Sequence, residues 1–379
     1  MKKIYFDYAA TTPCDPQVVE AMLPFFTQTF ANASSPHALG QEANTALESS
    51  RQSVAQFIGA NPKEIIFNSG ATEGNNHVIS GVAYALMEKG DHIVVSSLEH
   101  HSVLEPVEQL RRDGFKVTVL PVDHDGLVNP QDIKKAIIGQ TILVAVMHAS
   151  NEIGTIEPIT DISRVTKERN IPFLVDACQT VGHIPVDVNV LGCDYLTFSA
   201  HKFYGPKGVG ALYVRDKAAI TPFLFGGDQE RSRRASTQNI SAIVGLAKAL
   251  EICKEKMHQE ETFQKKLRDR LLAQVLKKVD GVKINGHRTN RLPNNAHFSF
   301  EGIESEALLM SLDMNNICAS MGSACTSGAM EPSHVLRAIG LSDELAYGAL
   351  RVTIGRWTTE NDIEYFLEQL PKVIGSLRV

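Results

Sequence analysis

Cysteine is scarce in this sequence, and its placement excludes more than its number. Six cysteines stand at 14, 178, 193, 253, 318 and 325, and no two form a CxxC pair. Neither a secreted disulfide framework nor a zinc ribbon is built from such scatter, and no metal site is expected. Long apolar runs are also missing. Asp7 interrupts the N-terminal Ile4-Tyr5-Phe6 after three residues, so no secretory segment follows Lys2 and Lys3. Nothing approaches the ~18–20 apolar residues of a membrane-spanning helix. Positive charge is not in excess either. Lys plus Arg number 37 against 43 Asp plus Glu, a net charge of −6, which argues against broad nucleic-acid or anionic-membrane binding. Low-complexity tracts, internal repeats and coiled-coil heptads are absent. A reducing cytoplasm is the expected compartment.

What is present is an ordinary globular composition, 43% hydrophobic and 21% charged over 379 residues. That length predicts about two domains and a sizeable core. Strand and helix patterns alternate through the first two thirds. Strands are expected near 64–67, 92–95, 117–120, 141–147, 173–175, 195–198 and 210–214. Helices are expected near 70–89, 103–112, 130–138 and 159–169. This alternation predicts an α/β fold with a mostly parallel sheet covered on both faces. Beyond Ser241, a long helix and the charged stretch 254–278 read as a connector into a smaller α+β domain. That domain has strands near 297–300 and 350–354 and helices at 305–314 and 360–377.

Several segments can carry chemistry. Asn68 to Asn75 lies where a buried strand turns into a helix. Gly70 permits close backbone approach, and the free N–H groups around Ala71 and Thr72 can make a phosphate cup, though an ordinary helix cap is the better explanation of this segment taken alone. Asp176 directly follows an apolar strand, so it faces the crevice where open α/β sheets bind ligands. There it could hold a cofactor's ring nitrogen protonated or simply cap a helix. Lys202 sits in Ser199-Ala200-His201-Lys202, between a strand and a Gly-Pro turn, and a lysine held there can form a Schiff base. Lys207 fits a solvated surface lysine better. Cys325 lies in a small, polar Gly/Ser stretch that cannot build core, which suggests an accessible thiol. Cys193, Cys253 and Cys318 read as packing residues, Cys178 as a neighbour of the site. Arg351 inside a strand pattern needs a partner, and a substrate carboxylate is an economical one. A surface ion pair is the alternative. Arg356 reads as structural.

A phosphate cup, an acid for a ring nitrogen, a Schiff-base lysine and a carboxylate clamp are together what pyridoxal phosphate chemistry needs. The chain also resembles the cysteine desulfurases of the NifS/IscS group, enzymes of the class V aminotransferase fold. The segments that carry the resemblance are Tyr8-Ala9-Ala10-Thr11-Thr12-Pro13, Ser69-Gly70-Ala71-Thr72-Glu73, Asn151-Glu152-Ile153-Gly154, the Lys202 segment and Gly322-Ser323-Ala324-Cys325-Thr326-Ser327. They run in order from about residue 4 to 360.

The resemblance implies a pyridoxal phosphate-dependent transferase of fold type I that forms a homodimer. A large domain with a mostly parallel seven-stranded sheet, 15–255, would bind the cofactor. A smaller α+β domain, 1–14 with 256–379, would carry the catalytic cysteine. Lys202 would carry the cofactor and move protons, and His100 would stack on the pyridine ring. Asp176 would pair with the ring nitrogen and Gln179 with the phenolic oxygen. Gly70, Ala71, Thr72, Ser199 and His201 would surround the phosphate, with Thr237 reaching it from the other subunit. Asn151, Asn32 and Arg351 would hold the region of the substrate carboxylate. Cys325 would attack the sulfur of L-cysteine, leaving L-alanine and a persulfide for an acceptor protein such as an iron–sulfur scaffold. Three departures stand out. Arg234-Ala235-Ser236-Thr237 replaces the usual Arg-Ser-Gly-Thr, Ala33 stands where proline is common after Asn32, and Met321 replaces a frequent serine or threonine. A selenocysteine lyase or aminotransferase of the same class would share Lys202 and Asp176 without needing Cys325. A non-catalytic scaffold would need none of them.

Overall fold

A computed structural model describes residues 3–322 and 332–378. After the two-residue strand β1 (Ile4–Tyr5), seven strands follow: β2 (Ile65–Asn68), β3 (His92–Ser96), β4 (Lys116–Leu120), β5 (Thr141–Met147), β6 (Phe173–Asp176), β7 (Tyr195–Ser199) and β8 (Gly210–Val214). They form one sheet in the order β2-β8-β7-β6-β5-β3-β4. Within it β8 runs antiparallel to β2 and β7, and every other pair is parallel. The expected mostly parallel, seven-stranded sheet is therefore present.

Alternation along the strands separates two cores. Ile93 and Val95 of β3 face one side with Val78, Val82 and Val103. Val94 between them faces the other, with Val144, Phe173 and Val175. A strand covered on both faces has no polar side to show. β3, β5, β6 and β7 are accordingly buried throughout. The edge strand β4 keeps Lys116 and Val119 exposed.

The strand order reverses between β3 and β5, because β4 lies outside β3 whereas β6 and β7 continue on the far side of β5. Such a switch point opens a crevice at the carboxyl ends of the strands. The last residue of β6, Asp176, and the turns after β3, β5 and β7, with His100, Asn151 and Lys202, reach into it.

The charged stretch from 254 onward is not a separate connector. One 39-residue helix runs through it, Ile240–Lys278. Its first half packs Ile243, Leu246 and Leu250 on the large sheet. Its second half packs Leu267, Leu271 and Val275 in a different core. Their spacing by four residues keeps one stripe apolar, and the charged Arg268, buried beside it, donates to the carbonyls of Arg291 and Leu292. That second core belongs to an antiparallel sheet of β9 (Val282–Ile284), β10 (Asn295–Phe300) and β12 (Ala349–Thr353). The strand β11 (Ile317–Cys318) pairs in parallel with β1. Phe6 joins Phe298, Leu350 and Phe366 there, so the N-terminal strand is built into the C-terminal part of the fold. Among the described residues no helix is long and apolar enough to cross a membrane.

Candidate active site

The phosphate cup forms where β2 gives way to the helix Ala71–Leu86. Gly70 has φ 148°, and a Cβ there would stand 3.1 Å from Ser199 Oγ. The close approach is used: Ala71 N donates to Ser199 Oγ at 2.7 Å, and Gly70 N to Asn68 Oδ1 at 3.0 Å. Glu73 in the first helical turn accepts from Ser69 N at 2.9 Å and from Arg234 Nε at 2.8 Å. Ala71, Thr72, Ser199 and His201 line both this recess and the adjoining crevice. His201 Nδ1 lies 3.1 Å from Thr11 Oγ1, and burial beside Lys202 and Lys207 lowers its pKa to about 4.

The crevice itself is a cavity of about 300 Å³. On its floor Lys202 Nζ donates to the carbonyls of Ala9 and Ala10 at 2.6 and 2.9 Å. Burial lowers its pKa, helped by the Arg351 guanidinium and opposed by Cys178, Asp176 and Asp7. Such a lysine releases its proton more readily than a surface one, as an aldehyde-binding amine must. Asp176, 7% exposed, ends β6. Its Oδ1 accepts from Cys178 N at 2.9 Å and its Oδ2 from Asn75 Nδ2 at 2.8 Å. Gln179 Nε2 donates to Ala9 O at 3.1 Å. His100 caps the helix His101–Arg112, where Ser102 N donates to its Nδ1 at 3.0 Å. Burial lowers its pKa, and the nearby Asp176 carboxylate works against that.

Arg351 forms the facing wall. It is 2% exposed, so it is no surface arginine. Nη2 donates to Asp7 Oδ1 at 2.7 Å, and Nη1 to the carbonyls of Asn151 and Gly322, both at 2.9 Å. Nε is buried without a hydrogen-bond partner among the described residues. Unspent donor capacity on a buried guanidinium suits a carboxylate ligand. Arg356 is structural, as expected: it pairs with Asp15 and Glu260 and lies 4.0 Å over the Tyr204 ring.

One cavity thus collects Lys202, His100, Asp176, Gln179, Ala71, Thr72, Ser199, His201, Asn151 and Arg351. Gly70 lies in the adjoining cup. Asn32 and Thr237 are exposed and line neither. Asn32 Oδ1 accepts from Ser34 N at 2.9 Å. In the altered loop before Thr237, Ser236 adopts φ 97°. Cys325 lies outside the described residues, whereas Gly322, three positions earlier, lines the cavity. Cys193 and Cys253 are fully buried and Cys178 lines the site, where burial pushes its thiol up to about 11.

Sequence reasoning passed over Asp7, Asn75, Ser102, Glu152 and His334. Asn75 and Glu152 stand inside segments already singled out, and their polarity next to buried strands was the available signal. His101 also lines the cavity and tilts against His334, with ring centroids 5.0 Å apart, rather than facing solvent alone.

The chain matches the model of the aminotransferase class-V family over residues 4–366. It belongs to that family. Relatives in this class-V family are close along the entire length. A cysteine desulfurase IscS from Dictyoglomus turgidum is 51% identical over 377 residues, spanning 100% of this chain and 96% of the relative. A solved NifS-like protein superposes with a TM-score of 0.93 at 37% identity, covering 99% of this chain and 100% of that one. SspA, solved in complex with cysteine, superposes with a TM-score of 0.84 at 36% identity, covering 94% and 100%.

Proposed function

We propose that this class-V enzyme is a pyridoxal phosphate-dependent cysteine desulfurase. It converts L-cysteine to L-alanine and passes the sulfur, as a persulfide on Cys325, to an acceptor protein. The observation that carries the reading is the meeting of Lys202, Asp176, His100 and Arg351 around one cavity beside a helix-terminus cup. Those residues fit the cofactor: an amine of lowered basicity for its aldehyde, a carboxylate for its ring nitrogen and a cup for its phosphate. Full-length identity of 51% to a cysteine desulfurase supports the choice among class-V chemistries.

When bound, pyridoxal phosphate supplies an electron sink for the charge left at the substrate's Cα. The protein supplies the rest. Lys202 Nζ takes the Cα proton and returns it as a general base and acid. The Asp176 carboxylate would hold the cofactor's ring nitrogen. Arg351 turns donors now spent on Asp7 and backbone carbonyls toward the substrate carboxylate, with Asn151 alongside. The Cys325 thiolate would attack the substrate sulfur, so that an S–S bond forms as the substrate's Cβ–S bond breaks, and the electron pair of the broken bond stays with Cβ, which is protonated to the methyl group of alanine.

Further parts of the reading are a homodimer in which Thr237 reaches the partner's phosphate, a cytoplasmic location and an acceptor of the iron–sulfur scaffold kind. The division into 15–255 and 1–14 with 256–379 is supported by the separate core that Phe6 shares with Phe298 and Phe366. The nucleophile is tested with Cys325→Ala protein and L-cysteine under a thiol reductant. Loss of sulfide release with the visible cofactor spectrum retained is expected. Full-rate sulfide release would remove Cys325 from its role.

A further inference from the structure

Asn75 lies in the helix Ala71–Leu86, fully buried, and its amide makes three side-chain hydrogen bonds. Nδ2 donates to Asp176 Oδ2 at 2.8 Å and to Ser102 Oγ at 2.9 Å, while Oδ1 accepts from Thr197 Oγ1 at 2.7 Å. The amide cannot be turned round. A carboxylate only accepts, so the NH2 end must face Asp176. Ser102 Oγ, having accepted from Asn75, keeps one O–H, and His100 Nδ1 lies 2.8 Å away. The Ser102 backbone N–H points at the same nitrogen from 3.0 Å. Two donors aimed at Nδ1 leave it no room for a proton, so a neutral imidazole carries its proton on Nε2.

We infer that Asn75 is a positioning residue which, through one amide, holds the Asp176 carboxylate and sets the tautomer of His100 to Nε2–H. The inference rests on the pyridoxal phosphate reading and adds how two of its residues are held. It separates the site into a charged branch, Asn75–Asp176, and a neutral branch, Asn75–Ser102–His100. Other groups bear on both branches. His100 faces Asp176, Lys202, His101 and His334, and Asp176 also faces Cys178, Lys202 and Glu99. Replacing Asn75 by alanine alters none of those charges, so a changed pH profile reports the lost amide.

Without its donor Asp176 becomes a stronger base and draws the ring-nitrogen proton toward itself. A less positive ring moves the midpoint of the cofactor's visible band to higher pH. One hydrogen bond to a charged group corresponds to about one pH unit.

The experiment is a pH titration of the visible band of wild type, Asn75→Ala and Ser102→Ala, each reconstituted with pyridoxal phosphate. Histidine-labelled wild type and Ser102→Ala are followed by 15N resonance. Asn75→Ala is expected to raise the midpoint by about one unit. Its kcat should fall about tenfold while KM for L-cysteine stays within about twofold, the pattern of a group that acts beyond substrate binding. Ser102→Ala is expected to keep the wild-type midpoint and to shift the His100 Nδ1 resonance, because the backbone N–H of residue 102 is then the one donor of the two left at that nitrogen. An Asn75→Ala protein that takes up the cofactor with an unmoved midpoint would overturn the inference, since a purely structural asparagine would change only stability. An Nδ1–H pattern for His100 in wild type would overturn it too, and that arm stands even if Asn75→Ala does not fold. A wild type that develops no visible band would instead overturn the cofactor reading.

Discussion

The two walls of the cavity are built in opposite ways. On the sheet wall His100, Asp176, Ser199 and Lys202 each sit within a few residues of a parallel strand's carboxyl end, so one local turn places each group. On the facing wall Arg351 is held by Asp7, Asn151 and Gly322, segments up to 344 positions away in the chain. The sheet wall carries groups suited to a cofactor, on a backbone that buried strands make rigid. The facing wall carries donors now spent on the protein's own oxygens, which a substrate carboxylate can reclaim. Rigid placement where covalent chemistry occurs, and exchangeable contacts where substrate arrives, is what the comparison teaches.

Replacements on the two walls should fail differently. Lys202→Ala, on the sheet wall, should lower alanine formation by about 10³-fold or more, because the proton carrier is lost. Single-turnover assays check this, and substantial residual turnover would move the base elsewhere. Arg351→Ala, on the facing wall, should raise KM for L-cysteine about 30-fold, the worth of a charged hydrogen bond, and leave the cofactor spectrum intact. Cysteamine, which has no carboxylate, should not distinguish that variant from wild type. A changed spectrum would mean that the two walls are not separate.

Arg234→Ala should weaken cofactor affinity about fivefold, because the Arg234–Glu73 pair is only partly shielded and Glu73 still accepts from Ser69 N. Equilibrium dialysis of the cofactor measures it. The smallest effect lies beneath the switch point. Glu99 Oε1 accepts from Ser96 Oγ at 2.6 Å and Met147 N at 2.8 Å, and burial pushes its pKa from 4.5 up to about 8. The folded protein therefore holds a proton there that the unfolded chain releases, so this group's contribution to stability falls as pH rises from about 4.5 to about 8. Glu99→Gln removes that dependence. Its melting temperature relative to wild type should climb by about 6 °C between the ends of that range. A flat or falling difference would show Glu99 ionised at low cost.

The contrast between the walls also explains what the sequence disclosed. Thr141–Met147 and Gly210–Val214 have the same bounds in the pattern and in the fold, because unbroken apolar runs of strand length fit only a sheet covered on both faces. Asp176 and Lys202 were legible for the same local reason. The final helix Glu360–Leu377 announces its start with a capping box between Thr359 and Asp362. By contrast, β1, β9 and β11 span two or three residues and exist only through pairing across the chain, which no local pattern encodes. Asp7 looked like an interruption of an apolar stretch, and its pairing with Arg351 emerges only when β1 and β12 come together. Asn75 looked like one polar residue among several until burial left its amide three partners. Asn32, expected at the substrate carboxylate, and Thr237, expected at the phosphate, are exposed and line neither recess.

The central claim is most directly tested by a paired assay on the purified protein with pyridoxal phosphate, L-cysteine and a thiol reductant. The visible spectrum is recorded first, and alanine and sulfide are then quantified in the same sample. A yellow protein releasing alanine and sulfide in equal amounts is predicted. A yellow protein releasing neither from L-cysteine would contradict the desulfurase reading and return the site to another class-V reaction.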